Sequence, residues 1–256
     1  MPEIMIITGG SRGIGAAIAR AAGARGYDVA VNYSQAEDRA REVVADIENA
    51  GQRAIAVQAD MGSEDDILRM FDTVDKELGP VTAMVNNAAI DYETPMLDME
   101  LSAAQRVFEV NVFGLLVIAR ECFKRMATEH GGQGGSILNI GSISARYGGL
   151  PGDVVYASSK GAVDSMTKGL AHEFGRHGIR VNCLRPGAIL TDIWERSLGI
   201  EGAKELGKTG SMLRRIGEPD EIAGLALWLC SSEASYVTAA IYDVDGGRGK
   251  VPSPSR

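Results

Sequence analysis

A short apolar run leads into a glycine-rich turn and then into an alanine-rich helical pattern near the start of the chain. The run is Ile4–Ile7, the turn covers residues 8–15, and the helical pattern covers residues 16–24. Four large apolar side chains in a row suit a strand that is buried on both faces. Glycines let backbone N–H groups approach a phosphate, and the positive end of the following helix favours its charge. The segment therefore predicts an α/β fold that starts with a phosphate-binding turn.

The glycine spacing in this turn is Gly-x-x-x-Gly-x-Gly, formed by Gly9, Gly13 and Gly15. It departs from the Gly-x-Gly-x-x-Gly fingerprint of dinucleotide-binding turns. A glycine turn before a helix can also be simple punctuation of the chain. Its position directly after the first strand favours the binding interpretation, because this context gives such motifs their meaning.

Strand-like and helix-like segments alternate along the rest of the chain. Further strands are predicted near residues 29–31, 54–57, 84–85, 137–140, 181–184 and 241–244. Helices are predicted at 37–50, 64–78, 102–130, 157–177 and 219–231, with Ser63, Ser102 and Pro219 as start signals. This β-α-β repetition predicts a mostly parallel sheet.

Composition narrows the class of protein. With 256 residues and 45% apolar side chains, the chain is long enough for one sizeable core, which predicts a single domain over 1–249 and a short tail at 250–256. A net charge of -8 argues against a nucleic-acid-binding surface, since such surfaces are usually basic. The cysteines are widely spaced and the histidines show no metal-ligand spacing with them, so we expect neither disulfides nor a metal site.

No apolar run approaches the roughly 20 residues that span a bilayer, and the first strand begins close to residue 1. From these features we expect a cytoplasmic protein without a membrane partner.

Tyr156 and Lys160 are four residues apart within a predicted helix, which places them on one helix face. A free tyrosine titrates near pH 10, and a nearby ammonium favours the phenolate and draws the pKa of the phenol down. The pair therefore predicts a tyrosine that transfers protons. An ordinary exposed helix pair has the same spacing, so other motifs must support this interpretation.

Together these residues resemble the short-chain dehydrogenase/reductase family, over roughly residues 4–247. The resemblance extends to Asp60, to Asn86-Asn87-Ala88-Ala89, and to Arg180-Val181-Asn182, and includes Pro186-Gly187 with Thr191. It implies a single Rossmann-like, doubly wound α/β domain whose mostly parallel sheet has seven strands and helices on both faces. The family is large, and a substrate does not follow from it.

The resemblance also implies a catalytic set of Asn111, Ser142, Tyr156 and Lys160. Ser142 would stabilise charge on the substrate oxygen, and Tyr156 would give or take its proton. Lys160 would hold the phenolate and the nicotinamide ribose, and Asn111 would organise a water that relays protons to it. Ser144 is a rival for the catalytic hydroxyl because Ser142 lies one residue further from Tyr156 than is common. A mid-helix asparagine can instead be a buried residue that satisfies backbone groups.

The cofactor implied is NADP by preference, with NAD possible. An acidic residue at the end of the second strand would bind the NAD ribose and repel a 2′-phosphate, but the chain reads Asn32-Tyr33-Ser34 there. Arg12 and the Ser34 hydroxyl are candidates to meet that phosphate. The alternative is that Arg12 is a solvated turn residue and Asn32 accepts either cofactor. The full predicted cofactor set is Gly9, Ser11, Arg12, Gly13, Ile14, Gly15, Asn32, Tyr33, Ser34, Asp60, Met61, Asn87, Ala88, Tyr156, Lys160, Pro186, Gly187, Ile189 and Thr191.

Two positions depart from the family pattern. Ala89 replaces a glycine, which suggests a backbone angle that alanine tolerates, and Ala239 replaces a glycine near the last strand. Asn86 is expected to contact the cofactor, and Asn182 to have a supporting role.

Residues 189–217 suit a mobile lid over the active site, or equally an ordered surface excursion. Predicted pocket neighbours are Asp91, Tyr92, Ala145, Arg146, Tyr147 and Trp194. Sugars, β-ketoacyl thioesters, and small ketones or aldehydes stay open as substrates.

Two function classes stay open as well. The first is an NAD(P)-dependent oxidoreductase that transfers hydride between the nicotinamide and a carbonyl or alcohol. The second is a nucleotide-binding sensor or scaffold without turnover. The resemblance implies a homo-oligomer, a tetramer by expectation, with contacts through the helices near 102–126 and 157–175 and through the C-terminal segment.

Overall fold

The computed structural model describes residues 3–248, and for residues 193–198 it describes the backbone only. The predicted tail at 250–256 and the side chain of Trp194 therefore lie outside what is described. Within the described residues, seven strands form one sheet in which every pairing is parallel. The strands are β1 (Ile4–Ile7), β2 (Asp28–Tyr33), β3 (Ala54–Gln58), β4 (Ala83–Asn86), β5 (Gly135–Ile140), β6 (Ile179–Pro186) and β7 (Ile241–Val244).

The strand order is β3-β2-β1-β4-β5-β6-β7, so the direction of winding reverses between β1 and β4. Ligands of open parallel sheets bind at such a switch point, outside the carboxyl ends of the strands. The predicted Rossmann-like, doubly wound fold is confirmed.

The helices between the strands are α1 (Gly13–Ala24), α2 (Glu37–Asn49), α3 (Glu64–Glu77), α4 (Leu101–Phe108), α5 (Gly114–Met126), α6 (Ser144–Tyr147), α7 (Val154–Phe174), α8 (Asp192–Gly210) and α9 (Pro219–Cys230). Ser63 caps α3 by accepting a hydrogen bond from the Asp66 N–H, as its start signal predicts. Pro219 is the first residue of α9, where its missing N–H has no cost.

The single helix predicted at 102–130 is wrong in two respects. It begins at Leu101 with Glu100 before it, and Ser102 therefore lies inside the first turn instead of capping it. A π-helical turn at Glu109–Phe113 then separates α4 from α5. Such wide turns occur often at functional sites and leave no trace in hydrophobic spacing, and this one contains Asn111.

Residues 192–210 fold as the helical segment α8, which the loop-like composition did not predict. Gly199 has non-helical backbone angles (φ 66°), and the helix is kinked there. Because a glycine tolerates this left-handed φ, two short helices can follow each other directly on either side of Gly199.

The core lies on both faces of the sheet, and β1 shows how the strands divide it. Met5 and Ile7 pack into the cluster with α1 and α9, whereas Ile4 and Ile6 pack into the cluster with α3 and α5. Because both faces of the strand are covered, its sequence is continuously apolar instead of alternating.

By length and composition alone, the helical stretch Leu101–Met126 could cross a membrane, although the sequence contains no continuous apolar run of that length. Val107 and Ile118 are buried in this protein, and the stretch packs against α3 and α7. Leu101, Phe113 and Leu116 are its exposed large apolar residues. The stretch therefore has one face toward the core and one apolar face outside it.

Candidate active site

The glycine turn connects β1 to α1 at the switch point of the sheet. Gly9 and Gly13 have left-handed backbone angles (φ 61° and 54°), which residues with a Cβ rarely adopt. A Cβ on Gly15 would overlap the carbonyl oxygen of Gly9 and lie 2.5 Å from Nδ2 of Asn87. α1 begins at Gly13, three residues earlier than predicted, so Gly13, Ile14 and Gly15 form its first turn. The N–H groups of a first helical turn have no partner within the helix and suit a pyrophosphate.

The residues directly after β4 hold this turn in place. The Thr8 hydroxyl accepts hydrogen bonds from the N–H groups of Asn87 and Ala88, both at 3.0 Å. The Asn87 amide donates to the carbonyls of Thr8 (2.9 Å) and Gly9 (3.1 Å). Asn87 therefore supports the cofactor turn with its side chain. Thr8 was not among the predicted site residues, although its position between the strand and the first glycine was an available signal.

Asn32 lies at the end of β2 and is 2% exposed. Its Oδ1 accepts from the Gly9 N–H at 3.1 Å, and its Nδ2 donates to the carbonyls of Val57 and Ala59. The structure thus commits this side chain to the turn and to the neighbouring β3. Tyr33 is also buried, and burial together with the charge of Glu37 of α2 raises the pKa of its hydroxyl. The Asn32 amide is therefore bonded to protein partners, and Tyr33 lies in the core.

Arg12 and Ser34 are exposed at the mouth of the turn. Within the described residues Arg12 makes no ion pair, and no carboxylate follows β2 before Glu37. Arg39 of α2 forms an ion pair with Asp192 at the start of α8. Thr191 lies just before Asp192, and a Cβ on Gly13 would be 3.2 Å from its Cγ2. Hence α8 reaches over the glycine turn toward α2.

Asp60 and Met61 follow β3. The Asp60 carboxylate is bound by Arg106 of α4 at 2.5 and 2.6 Å and accepts from the Gly62 N–H at 2.9 Å. Met61 is buried. Asp60 thus ties α4 to the loop on which a cofactor contact was predicted.

The remaining predicted residues follow β4 and β6. Asn86 is buried and donates to Asn139 at 2.8 Å, and its Oδ1 has no hydrogen-bond partner in the described structure. Asn139 in turn donates to Thr167 of α7. Pro186 ends β6, and the Gly187 N–H bonds to β7. Ile189 is buried and forms an isolated parallel bridge with Gly217.

Ser142, Tyr156 and Lys160 meet beyond the end of β5. Ser142 follows the strand within two residues, and its hydroxyl lies close enough to the Tyr156 phenol to lower the pKa of the phenol as a hydrogen-bonding group. The Ser144 N–H donates to the Ser142 oxygen at 3.1 Å, so Ser144 supports that hydroxyl through its backbone. The Lys160 Nζ lies 5.7 Å from the centre of the Tyr156 ring.

The protonation of this pair differs from the prediction. Burial raises the pKa of Tyr156 from 10.0 to about 12, against the lowering effect of the Ser142 hydroxyl. Burial also lowers the pKa of Lys160 from 10.5 to about 8. The predicted lowering of the tyrosine pKa is wrong for this arrangement, because the ammonium donates to the carbonyl of Ile140 at 2.8 Å instead of approaching the phenol.

Asn111 lies in the π-helical turn and is 1% exposed. Its Oδ1 accepts from the Ile90 N–H at 2.9 Å, and its Nδ2 donates to the Ile90 carbonyl at 2.8 Å and to Ser159 at 3.1 Å. The amide is thereby occupied with protein partners. Its side chain fits the alternative interpretation, a buried asparagine that satisfies backbone groups.

The predicted pocket neighbours divide into two groups. The charges of Asp91 and Tyr147 act on Tyr156 and raise its pKa, as does Asp153, which was not among the predicted residues. Arg146 instead pairs with Asp243 at 2.5 Å, and the Tyr92 hydroxyl accepts from the Glu100 N–H. Arg146 and Tyr92 thus both have polar partners other than Tyr156.

Of the other predicted residues, Ala89 keeps a negative φ, as expected. Ala239 has a left-handed φ of 59°. Asn182 supports the chain before β7 by bonding to Val237 and Ala240. Among the described residues, no group of three His, Cys, Asp or Glu side chains is arranged to hold a metal ion.

Two cavities lie beside α8. One of about 440 Å³ borders the glycine turn at Gly13 and Thr191, and another of about 470 Å³ lies between α8 and residues 214–218. Neither is lined by Ser142 or Tyr156. The polar groups at the strand ends therefore locate the site better than cavity size does.

The cradle at the switch point fits a dinucleotide, because the turn excludes any Cβ at Gly15 while the α1 N-terminus and the exposed Arg12 face the same end of the sheet. With the serine, tyrosine and lysine that follow β5, the geometry defines the class of NAD(P)-dependent oxidoreductases.

Comparison with known proteins agrees with this class. A family model described as enoyl-(acyl carrier protein) reductase matches residues 9–248. The chain belongs to the short-chain dehydrogenase/reductase family.

Relatives and solved structures cover nearly the whole chain. "Uncharacterized oxidoreductase YgfF" of Escherichia coli K12 is 42% identical over 96% of this chain and 99% of its own length. L-rhamnose 1-dehydrogenase (NAD(P)(+)) of Sphingomonas sp. SKA58 is 37% identical, over 96% and 95%. A short-chain dehydrogenase from Burkholderia cenocepacia J2315, solved in complex with NADP, has a TM-score of 0.89 at 31% identity, over 97% and 98%. The relatives carry different substrate names, so the family does not assign a substrate to this chain.

Proposed function

We propose that this protein is an NADP-preferring oxidoreductase that interconverts a carbonyl and an alcohol, with Tyr156 as the general acid and base. The observation that carries the proposal is the approach of the Ser142 hydroxyl to the Tyr156 phenol beyond the end of β5. A hydroxyl pair of this kind can bind one substrate oxygen from two sides.

Each residue then has a definite task. When bound, the nicotinamide supplies or accepts the hydride. Ser142 donates to the substrate oxygen, and Tyr156 donates its proton to the same atom. The raised pKa of Tyr156 keeps the phenol protonated at neutral pH, which is the form that reduction requires. Lys160, with a pKa of about 8, is cationic at pH 7, and its ammonium, 5.7 Å from the centre of the Tyr156 ring, stabilises across that distance the negative charge that develops on the phenol.

The preference for NADP rests on charge at the adenosine end of the cleft. Arg12 is exposed there without an ion pair in the described residues, and Ser34 offers a hydroxyl, whereas the carboxylate that would repel a phosphate is absent. The structural relative that binds NADP supports this choice. Two relatives are named as dehydrogenases of L-rhamnose and glucose, so we propose sugars as the first substrates to examine.

The test is steady-state turnover with NADPH, NADH and their oxidised forms against sugars, ketones, aldehydes and acyl thioesters. Tyr156→Phe should lower kcat by at least about a hundredfold and leave cofactor binding intact. Arg12→Ala should raise the KM for NADPH far more than that for NADH. Equal effects of Arg12→Ala on both cofactors would contradict the phosphate contact, and full activity of the phenylalanine variant would contradict the role of Tyr156.

A non-catalytic sensor is the other function class, but no feature of the site favours it. The named relatives are dehydrogenases and reductases, and a binding module has no need for paired Ser142 and Tyr156 hydroxyls. We also propose a cytoplasmic homotetramer that acts on a small molecule, from the family resemblance.

A further inference from the structure

One buried chain of hydrogen bonds connects the loop after β4 to the helix that carries Tyr156. Asn111 holds both the N–H and the carbonyl of Ile90, at 2.9 and 2.8 Å. The same amide donates to the Ser159 hydroxyl at 3.1 Å. Asn111 is thus bonded to two separate parts of the site with one side chain.

Ser159 completes the chain. It is 0% exposed, and its hydroxyl donates to the carbonyl of Tyr156 at 2.7 Å. A helical serine often bonds a carbonyl in its preceding turn, and that contact alone would be ordinary. Here the same oxygen also accepts from a different helix, so the serine hydroxyl is the direct hydrogen-bonded link between Asn111 and the Tyr156 backbone.

Each end of this chain is connected to Tyr156, one through the charge of Asp91 and the other through the Tyr156 backbone carbonyl. Ile90 precedes Asp91, whose charge acts on Tyr156, and the loop is docked a second time where the Thr94 N–H donates to the Gly152 carbonyl at 3.1 Å. The other end is Tyr156 itself. The loop and Tyr156 are therefore connected by hydrogen bonds through Ser159 and Asn111.

We propose that Ser159 is a positioning residue for the proposed reaction: through Asn111 it fixes the loop that bears Asp91 at a set distance from the phenol of Tyr156. The inference rests on the proposed function for its kinetic part only. Small misplacements of reacting groups reduce rates strongly, so a buried hydroxyl that touches no substrate can still control kcat.

The test compares Ser159→Ala with Ser158→Ala, a matched control at the neighbouring exposed serine. We expect Ser159→Ala to lower kcat about tenfold, to leave the KM for NADPH within about twofold, and to speed amide exchange at Ile90. Ser158→Ala should change none of these.

Two outcomes would overturn the proposal. One is unchanged exchange at Ile90 in Ser159→Ala, and the other is an equal loss of kcat and cofactor binding with a lowered Tm, which is the pattern of general destabilisation. Failure of the proposed function can be told apart from failure of this inference. If the wild-type protein shows no turnover, amide exchange at Ile90 in Ser159→Ala still tests whether Ser159 holds the loop.

Discussion

At the scale of single residues, burial and backbone angle decide what each side chain can do. Asn32, Asn87 and Asn111 were all candidates for cofactor or catalytic contacts, and each uses its amide to hold backbone groups of the site. A buried amide must find partners, because an unpaired polar group costs about 1 to 3 kcal/mol. These asparagines therefore act on the site by shaping it.

Ala239 offers a test of backbone strain. Its φ of 59° is left-handed, and this conformation costs an L-residue with a Cβ roughly 1 to 2 kcal/mol. Ala239→Gly should raise the free energy of unfolding by about 1 kcal/mol, after the greater chain entropy of glycine is subtracted. Urea denaturation measures the change. Ala50→Gly is the control, since Ala50 is also exposed but has a right-handed φ of -81°, and there glycine should destabilise.

Lys160 predicts a pH dependence of stability. Its folded-state pKa is about 8, against 10.5 for the exposed group, so between these values the unfolded chain binds more protons than the folded one. Wild-type stability should therefore rise from pH 8 to 10.5 relative to Lys160→Met, by on the order of 3 kcal/mol. Denaturant unfolding at several pH values measures this difference. The same experiment with Lys168→Met, at an exposed lysine of α7, should show no such trend; a parallel course of both variants would contradict the buried charge.

At the scale of elements, ion pairs fasten the helices around the site to the sheet. Arg185 of β6 binds Asp164 of α7, one turn beyond Lys160, and also Asp243 of β7, which in turn binds Arg146 of α6. These pairs connect the segment that follows Ser142 with the helix that carries Tyr156. The contribution of these ion pairs to stability depends more on their burial than on the distance between the charged atoms.

Asp164→Asn tests that dependence. The Asp164 and Arg185 side chains are only 11% and 17% exposed, so loss of the carboxylate charge should cost about 2 to 4 kcal/mol of stability. Asp46→Asn breaks the pair with Arg20, whose side chains are 52% and 46% exposed, and should cost less than about 1 kcal/mol. Denaturation of both variants gives the comparison. Equal costs would show that burial does not set the strength of these pairs.

At the scale of the whole molecule, the stretch Leu101–Met126 leaves an apolar face uncovered. Leu101 is 65%, Phe113 56% and Leu116 44% exposed, while the opposite face of the same stretch belongs to the core. Exposed apolar patches of this kind mark contacts with other proteins, and the family resemblance predicts a second copy of the chain as the partner.

Phe113→Glu should convert the expected tetramer into a smaller species, because burial of an unpaired charge in an apolar contact opposes association. Light scattering after size-exclusion chromatography measures the mass in units of the 27.1 kDa chain. Leu213→Glu, at a residue that is 63% exposed on a different segment, is the control and should keep the wild-type mass. A wild-type monomer would contradict the predicted tetramer.

The sequence was informative where a short local pattern is compatible with only one secondary structure. The apolar run Ile4–Ile7 followed by glycines allowed the first strand, the turn and the parallel class of the sheet to be predicted. The sequence was uninformative where the conformation of a segment depends on packing against residues far away in the chain. The π-helical turn at Glu109–Phe113 and the helix at Asp192–Gly210 have no distinctive spacing, and both depend on what packs against them.

By itself the sequence determined the seven strands, most of the helices between them and the identity of the chemical groups, because hydrophobic periodicity, glycine and the Tyr-x-x-x-Lys spacing act over a few residues. Only the tertiary structure decided which hydroxyl meets Tyr156, where the Lys160 ammonium is directed, and that Ser159 links Asn111 to the reacting helix. The reason is physical: pKa values and hydrogen-bond partners depend on burial and on distances between residues far apart in the chain.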